Sequence, residues 1–230
     1  MTVDSSSRLA PVQFRPKLAD EVKDKLRQAL LSGRFQRGDR LRLEELAAEL
    51  GVSIMPVREA LIALSNEGLV EAEPRRGFRA TPLEQQDLDD IFEVHAKLAG
   101  ILAARAAAQA TDEDIARLRS MHAEFEVLAA GPQSDAASHE LGTLNSEFHR
   151  AINRIPSGER VRGFIRLTYR YVRSDLFESV PGMISSALSD HPGIVDAIAA
   201  HDTEHARTLT EEHLLKGSHL WGCVLAPPVG

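Results

Sequence analysis

Residues 43–81, LEELAAELGVSIMPVREALIALSNEGLVEAEPRRGFRAT, decide the reading of the fold. Leu43, Leu46, Ala47 and Leu50 fall on one side of a short helix, and Gly51 stops it. Ser53 stands where an N-cap is expected, and Val57, Ala60, Leu61 and Leu64 follow at helical spacing. Asn66-Glu67-Gly68 ends that helix. Leu69–Glu73 and Gly77–Thr81 predict two strands around the turn Pro74-Arg75-Arg76. Upstream, Leu18, Val22, Leu26 and Leu30 recur every four residues, a helix with one buried stripe that Ser32-Gly33 terminates. RFQRGDRL, residues 34–41, reads as a turn with Gly38-Asp39 at its tip. Three helices and a small β-hairpin wing make a winged helix-turn-helix. Its tight turn at Gly51-Val52 sets the angle at which the next helix enters a DNA major groove.

The chemistry of that unit suits nucleic acid. The first helical turn after Gly51, with Ser53, Ile54, Met55, Pro56 and Arg58, faces base edges and phosphates in such a geometry, and its free amides favour a phosphate. Arg75 and Arg76 at the hairpin tip, beside Gly77, reach the backbone or a minor groove. The alternative is a helical hairpin used only for packing, with a solvated basic turn.

Composition bounds the rest. The chain has 230 residues, a formal net charge of −7 and one cysteine, Cys223. That excludes an intramolecular disulfide framework and a cysteine-based zinc finger. No apolar run approaches the roughly 18 residues of a membrane span. The first twenty residues carry no apolar signal core, so a cytoplasmic protein with no membrane partner is expected. Overall acidity hides an asymmetry. Residues 1–82 hold 14 Lys+Arg against 12 Asp+Glu, and residues 83–230 hold 13 against 22. All nine histidines lie after residue 94. The expected layout is a flexible tail over 1–14, the winged unit over 15–82, a second domain over 84–222 and a tail over 223–230.

The second domain reads as helices throughout, an all-α bundle of six or seven. Helical spacing predicts segments over 84–109, from Thr111 to Gly131, from Leu141 to Ile155 and over 161–172. Further segments follow over 183–188, 192–201 and 203–222, broken at Ser189-Asp190, Pro192 and Asp202, and GPQSDAASH reads as a loop. Asn145 and His149 are one turn apart on one face, about 6 Å along the axis. His191, with Val195 and Ile198, and His213, with Ala206 and Leu209, also face inward. An amide and three imidazoles from three helices can converge on a divalent transition metal: zinc first, with nickel, manganese, iron and copper as the other candidates. Singly, each reads more readily as a hydrogen-bonded core histidine. His201 and His205 form another such pair, but Asp202 between them reads as an N-cap that leaves both exposed.

The first module resembles the DNA-binding domain of GntR-family transcriptional regulators. The run ELGVS..PVREAL..L..EGLV...PRRG carries the resemblance, within about 65 residues that match without a gap. It implies that Ser53, Pro56, Arg58 and Gly77 lie in the DNA-contact region. Where relatives often carry Arg then Thr, this chain has Ile54 and Met55, suited to a thymine methyl. The second half resembles the FCD effector-binding domain of the FadR-type branch, through Asn145-Ser-Glu-Phe-His149, His191-Pro-Gly-Ile-Val-Asp and Glu-Glu-His213-Leu. The resemblance implies metal ligands at Asn145, His149, His191 and His213, with Asn145 replacing an Asp. It further implies that His95 stands where relatives often place an effector-facing Arg.

These readings combine into a homodimeric regulator, expected to be a repressor, on double-stranded operator DNA. A small carboxylate effector would bind against His95, Asn145, His149, His191 and His213. The rival reading is a metal-dependent enzyme in the His-rich bundle. It lacks a base beside the ligands, since Glu147 lies two residues from His149 on another face. No enzyme activity is therefore expected.

Overall fold

A computed structural model describes residues 18–132, 134–172 and 176–225. They form two compact units that divide between Pro82 and Leu83. In the first, α1 spans Leu18–Leu31, α2 Leu43–Leu50 and α3 Ile54–Asn66, and an antiparallel hairpin joins β1 (Val70–Glu73) to β2 (Gly77–Ala80). Val70 pairs with Ala80 and Glu73 with Gly77. Val22, Leu26, Leu30, Val57, Leu61, Leu64 and Leu69 make the core. Leu18, expected in the buried stripe, is 51% exposed because the helix starts there, beyond the reach of the core.

Gly51 closes α2 in a left-handed conformation, φ 67°, which lets Val52 N–H bond back to the Ala47 carbonyl at 3.0 Å. The stretch expected as a turn also does more. The Leu41 amide donates to Phe78 and the Ala80 amide to Asp39, both at 2.9 Å, so residues 38–41 line the outer edge of β2. At the hairpin tip Arg76 N–H bonds to Glu73 C=O at 3.0 Å, with Pro74 second and Arg75 third, at φ 63°. This is a type II turn with arginine in the position where glycine is usual. Arg27, 7% exposed on α1, donates to Glu67 at the end of α3 from Nε and Nη2, at 2.9–3.1 Å.

The second unit holds seven α-helices among the described residues: α4 Gln85–Gln109, α5 Asp112–Ala129, α6 Asp135–Arg154, α7 Glu159–Thr168, α8 Leu176–Ser179, α9 Met183–Ala199 and α10 Thr203–Leu225. Helix α10 lies antiparallel along α4. Lys97 pairs with Glu211, Asp89 accepts from Ser218, and Phe92 meets Trp221 edge-on. Small residues on α4 permit this approach, and a Cβ on Gly100 would sit 2.6 Å from Glu211.

Three boundaries differ from expectation. Ser134 caps α6 by accepting the Ala137 amide, so Asp135–His139 are helical rather than loop. Helix α9 runs unbroken through Pro192. Pro192 is exposed and forgoes the amide bond to Leu188, while His191, Ile194, Val195 and Ile198 are buried and hold both halves in one line. Helix α10 continues to Leu225, past the expected end at 222, while residues 1–14 and 226–230 lie outside the described ones. No described helix is long and apolar enough to cross a membrane.

Candidate functional site

The helical unit gathers its histidines. His149 from α6, His191 from α9 and His213 from α10 bring ring nitrogens within 4.8 Å of one another, all three buried. Nε2 of His149 lies 3.2 Å from Nε2 of His213. Two nitrogens each about 2.0–2.1 Å from a shared zinc stand about 3.3 Å apart at the tetrahedral angle, so this pair fits. His213 directs Nδ1 to Asp190 at 3.2 Å, which leaves Nε2 with a lone pair for a cation. His191 is 1% exposed, stacks on Phe148 at 4.1 Å, and neither ring nitrogen has a hydrogen-bond partner among the described residues. Asn145 Oδ1 is likewise buried without a partner. Orphaned acceptors of this kind are costly in a folded core. A cation accepting their lone pairs removes the cost, and the donor set suits a borderline divalent metal.

Burial keeps these rings neutral. It pushes His149 well below the usual histidine range, with His213 and His95 adding to the effect. His191 is lowered by burial first and then by its three histidine neighbours, His149, His213 and His122. His213 is also lowered by burial, against the opposing pull of Asp190. Burial tends to raise Asp190, but hydrogen bonds from Lys216, Ser189 and His213 prevail and bring it to about 2. Near neutral pH the cluster therefore offers lone pairs, with an ionised carboxylate behind it.

A cavity of about 330 Å³ opens on this cluster, lined by Asn145, His149, His213 and His95. His95 bonds Thr168 Oγ1 at 2.6 Å, and burial lowers it to about 4. Two contributors were not singled out in the sequence. His122, 8% exposed, sets its ring 5.7 Å from that of His191. Its spacing from Leu118 and Phe125 on α5 carried that signal. Asp190 was read as a helix break. His201 and His205 are exposed as expected, with Asp202 accepting the His205 amide, although His201 also reaches the Ala107 carbonyl at 2.7 Å.

In the other unit, Ser53 holds the N-cap position of α3, but its hydroxyl makes no cap bond. Ile54 and Met55 beside it are 40% and 62% exposed. Pro56 is half-buried, and Arg58, Arg76 and Gly77 are exposed. Arg58, Arg75 and Gly77 line one cleft between α3 and the wing. Arg27, Arg34, Arg42 and Arg79 are engaged with Glu67, Glu49, Glu45 and Glu73. Among the described residues Arg58, Arg75 and Arg76 have no such partner, so part of the unit's unspent positive charge, beside that of Lys25 and Arg40, sits on α3 and the wing.

Two families match this arrangement. Bacterial regulatory proteins of the gntR family match residues 18–79, and the FCD domain matches residues 90–216. The chain belongs to the GntR family. Its similarity to a probable D-xylose utilization operon transcriptional repressor of Paenarthrobacter nicotinovorans is 30% identity over 202 residues, 87% of each chain. An HTH-type transcriptional regulator of Bacillus subtilis (strain 168), YdhC, is 30% identical over 129 residues, only 56% of either chain. The solved structure of E. coli McbR/YncC shares the fold at a TM-score of 0.60 and 23% identity, over 88% of this chain and 95% of that one. This GntR-family chain is a DNA-binding transcriptional regulator with an FCD effector domain, and its domains are those of regulators, not enzymes.

Proposed function

We propose that the protein is a metal-dependent, ligand-responsive repressor that acts in the cytoplasm as a homodimer on a pseudo-palindromic operator. The observation that carries this is the buried cluster of His149, His191 and His213, opening beside the orphaned Asn145 oxygen onto a cavity. These four residues would hold the ion, zinc before nickel, manganese, iron or copper. When bound, it supplies a Lewis-acidic anchor for one oxygen of a small organic carboxylate. His95 would line the pocket beside that carboxylate. Effector binding changes DNA affinity only insofar as it favours one arrangement of the protein over another. Metal analysis of tag-free protein, followed by operator titration with and without chelator, tests the reading. Protein supplied with zinc, nickel and manganese that retains none of them overturns the metal.

On the DNA side, Ser53, Ile54, Met55, Pro56, Arg58, Arg75, Arg76 and Gly77 form the proposed interface. Arg58→Ala is expected to weaken operator binding by about 1–3 kcal/mol if it reads a base. Arg75→Ala with Arg76→Ala should lower the slope of affinity against salt, because phosphate contacts act through released counterions. Fluorescence anisotropy over a salt series measures both. Unchanged affinity in both variants would remove these arginines from the interface.

Asn145 offers an oxygen without a charge. Asn145→Asp adds a negative charge beside the ion in a poorly solvated site. Metal should bind at least about tenfold tighter and a carboxylate effector at least about tenfold weaker, each about 1.4 kcal/mol. Separate metal and effector titrations read the two signs. Equal affinities in both proteins would place Asn145 outside the coordination sphere.

A further inference from the structure

The cavity has two chemically distinct ends. At the histidine end stand His149, His213 and Asn145, and no carboxylate among the described residues lines the cavity anywhere. His95, 6% exposed, also belongs here, with Nδ1 on Thr168 and no hydrogen-bond partner for its other ring nitrogen among the described residues. About one helical turn further along, the lining becomes mainly apolar, with His139, Thr143 and Ser186 as its polar members. On α10, Gly217 follows His213 by four residues, about 6 Å along the axis. On the antiparallel α4, Phe92 lies three residues before His95, about 4.5 Å in the same direction. Met183 and Phe177 complete this end, and behind Phe92 and Met183 lies the apolar cluster around Trp221.

Two of the lining residues at this end are glycines in helix interiors, Gly142 on α6 and Gly217 on α10. Neither has a left-handed backbone. Neither is forced by a neighbouring backbone, since a Cβ at Gly217 would meet Met183 at 3.7 Å and Phe92 at 3.9 Å, and one at Gly142 would meet Phe177 at 3.5 Å. These are ordinary contacts. Alanine would therefore fit the empty fold at both positions and would favour the helix. What alanine would remove is space beside Phe92, Met183 and Phe177.

We infer that the effector is an amphiphilic carboxylate, its head at the histidines and an apolar body of about six to eight carbons lying between Gly142 and Gly217 against Phe92, Met183 and Phe177. The inference rests on the proposed carboxylate site and adds which carboxylates it admits. A cavity of about 330 Å³ has room for such a molecule. Each methylene buried at the apolar end is worth about fourfold in affinity. The larger part of this end is apolar, so a short hydroxy acid or a sugar acid would gain less there than a hydrocarbon body does.

Isothermal titration of the metal-loaded full chain with acetate, lactate, gluconate, hexanoate and phenylacetate tests this. Hexanoate and phenylacetate are expected to bind at least tenfold tighter than acetate, lactate and gluconate. In Gly217→Ala, and independently in Gly142→Ala, phenylacetate affinity should fall at least tenfold further than acetate affinity. The ligand-free variants should melt no lower than the parent. Lactate or gluconate binding as tightly as phenylacetate overturns the inference and leaves the carboxylate site standing. No binding by any of the five overturns both. Equal losses for acetate and phenylacetate in the glycine variants would place the apolar body elsewhere.

Discussion

His191→Phe is expected to cost the protein about a hundredfold or more in metal affinity while leaving the metal-free fold no less stable, within about 1 kcal/mol. Phenylalanine keeps a flat ring against Phe148, where the two rings now stack at 4.1 Å and 13°. It removes two nitrogens that have no hydrogen-bond partner among the described residues. An unsatisfied buried polar atom costs about 1–3 kcal/mol, so its loss offsets any tighter packing. Chelator competition and metal content, read beside the melting temperature of the stripped protein, separate a ligand from a core residue. A core histidine would leave metal content unaltered. Full metal retention in His191→Phe would take His191 out of the site.

Glu67→Ala is expected to destabilise the DNA-binding unit by about 3–5 kcal/mol, the usual result of breaking a buried ion pair on one side. Arg27 is 7% exposed, and Glu67 answers it across forty residues of chain, fixing the end of α3 to the middle of α1. Asp24 also meets Arg27, but it stands 68% exposed and cannot replace a buried carboxylate. Arg27→Met combined with Glu67→Leu should come within about 1 kcal/mol of the parent, because neither charge is then left stranded. Urea unfolding followed by circular dichroism measures both proteins. A single-variant loss under about 1 kcal/mol would mean that the pair is not a structural tie.

The winged unit was legible because each of its signals is local. Gly51, Ser53 and Gly68 punctuate helices whose apolar residues recur at 3.6, and Glu73–Gly77 closes a hairpin within a few residues. The exposed Leu18 and the pairing of residues 38–41 with β2 escaped that reading. The first depends on where the core ends, and the second on a partner strand some forty residues away. In the helical unit, the inward faces of His149, His191 and His213 followed from periodicity. Their convergence within 4.8 Å is a product of tertiary packing. Asp190 shows the limit most clearly. Beside Ser189 and Pro192 it has the local marks of a helix break, yet α9 continues because four apolar or aromatic-packed residues around Pro192 are buried. The same packing turns Asp190 toward His213. Pro192 tipped the local reading, and burial overruled it.

Arg75 occupies a left-handed backbone position that glycine would fill without strain. With the wing tip on DNA as proposed, folding and binding pull this codon in opposite directions. A lineage under pressure for heat tolerance alone gains by changing it to glycine. A lineage that must hold its operator at cellular salt gains by keeping a cation at the wing tip.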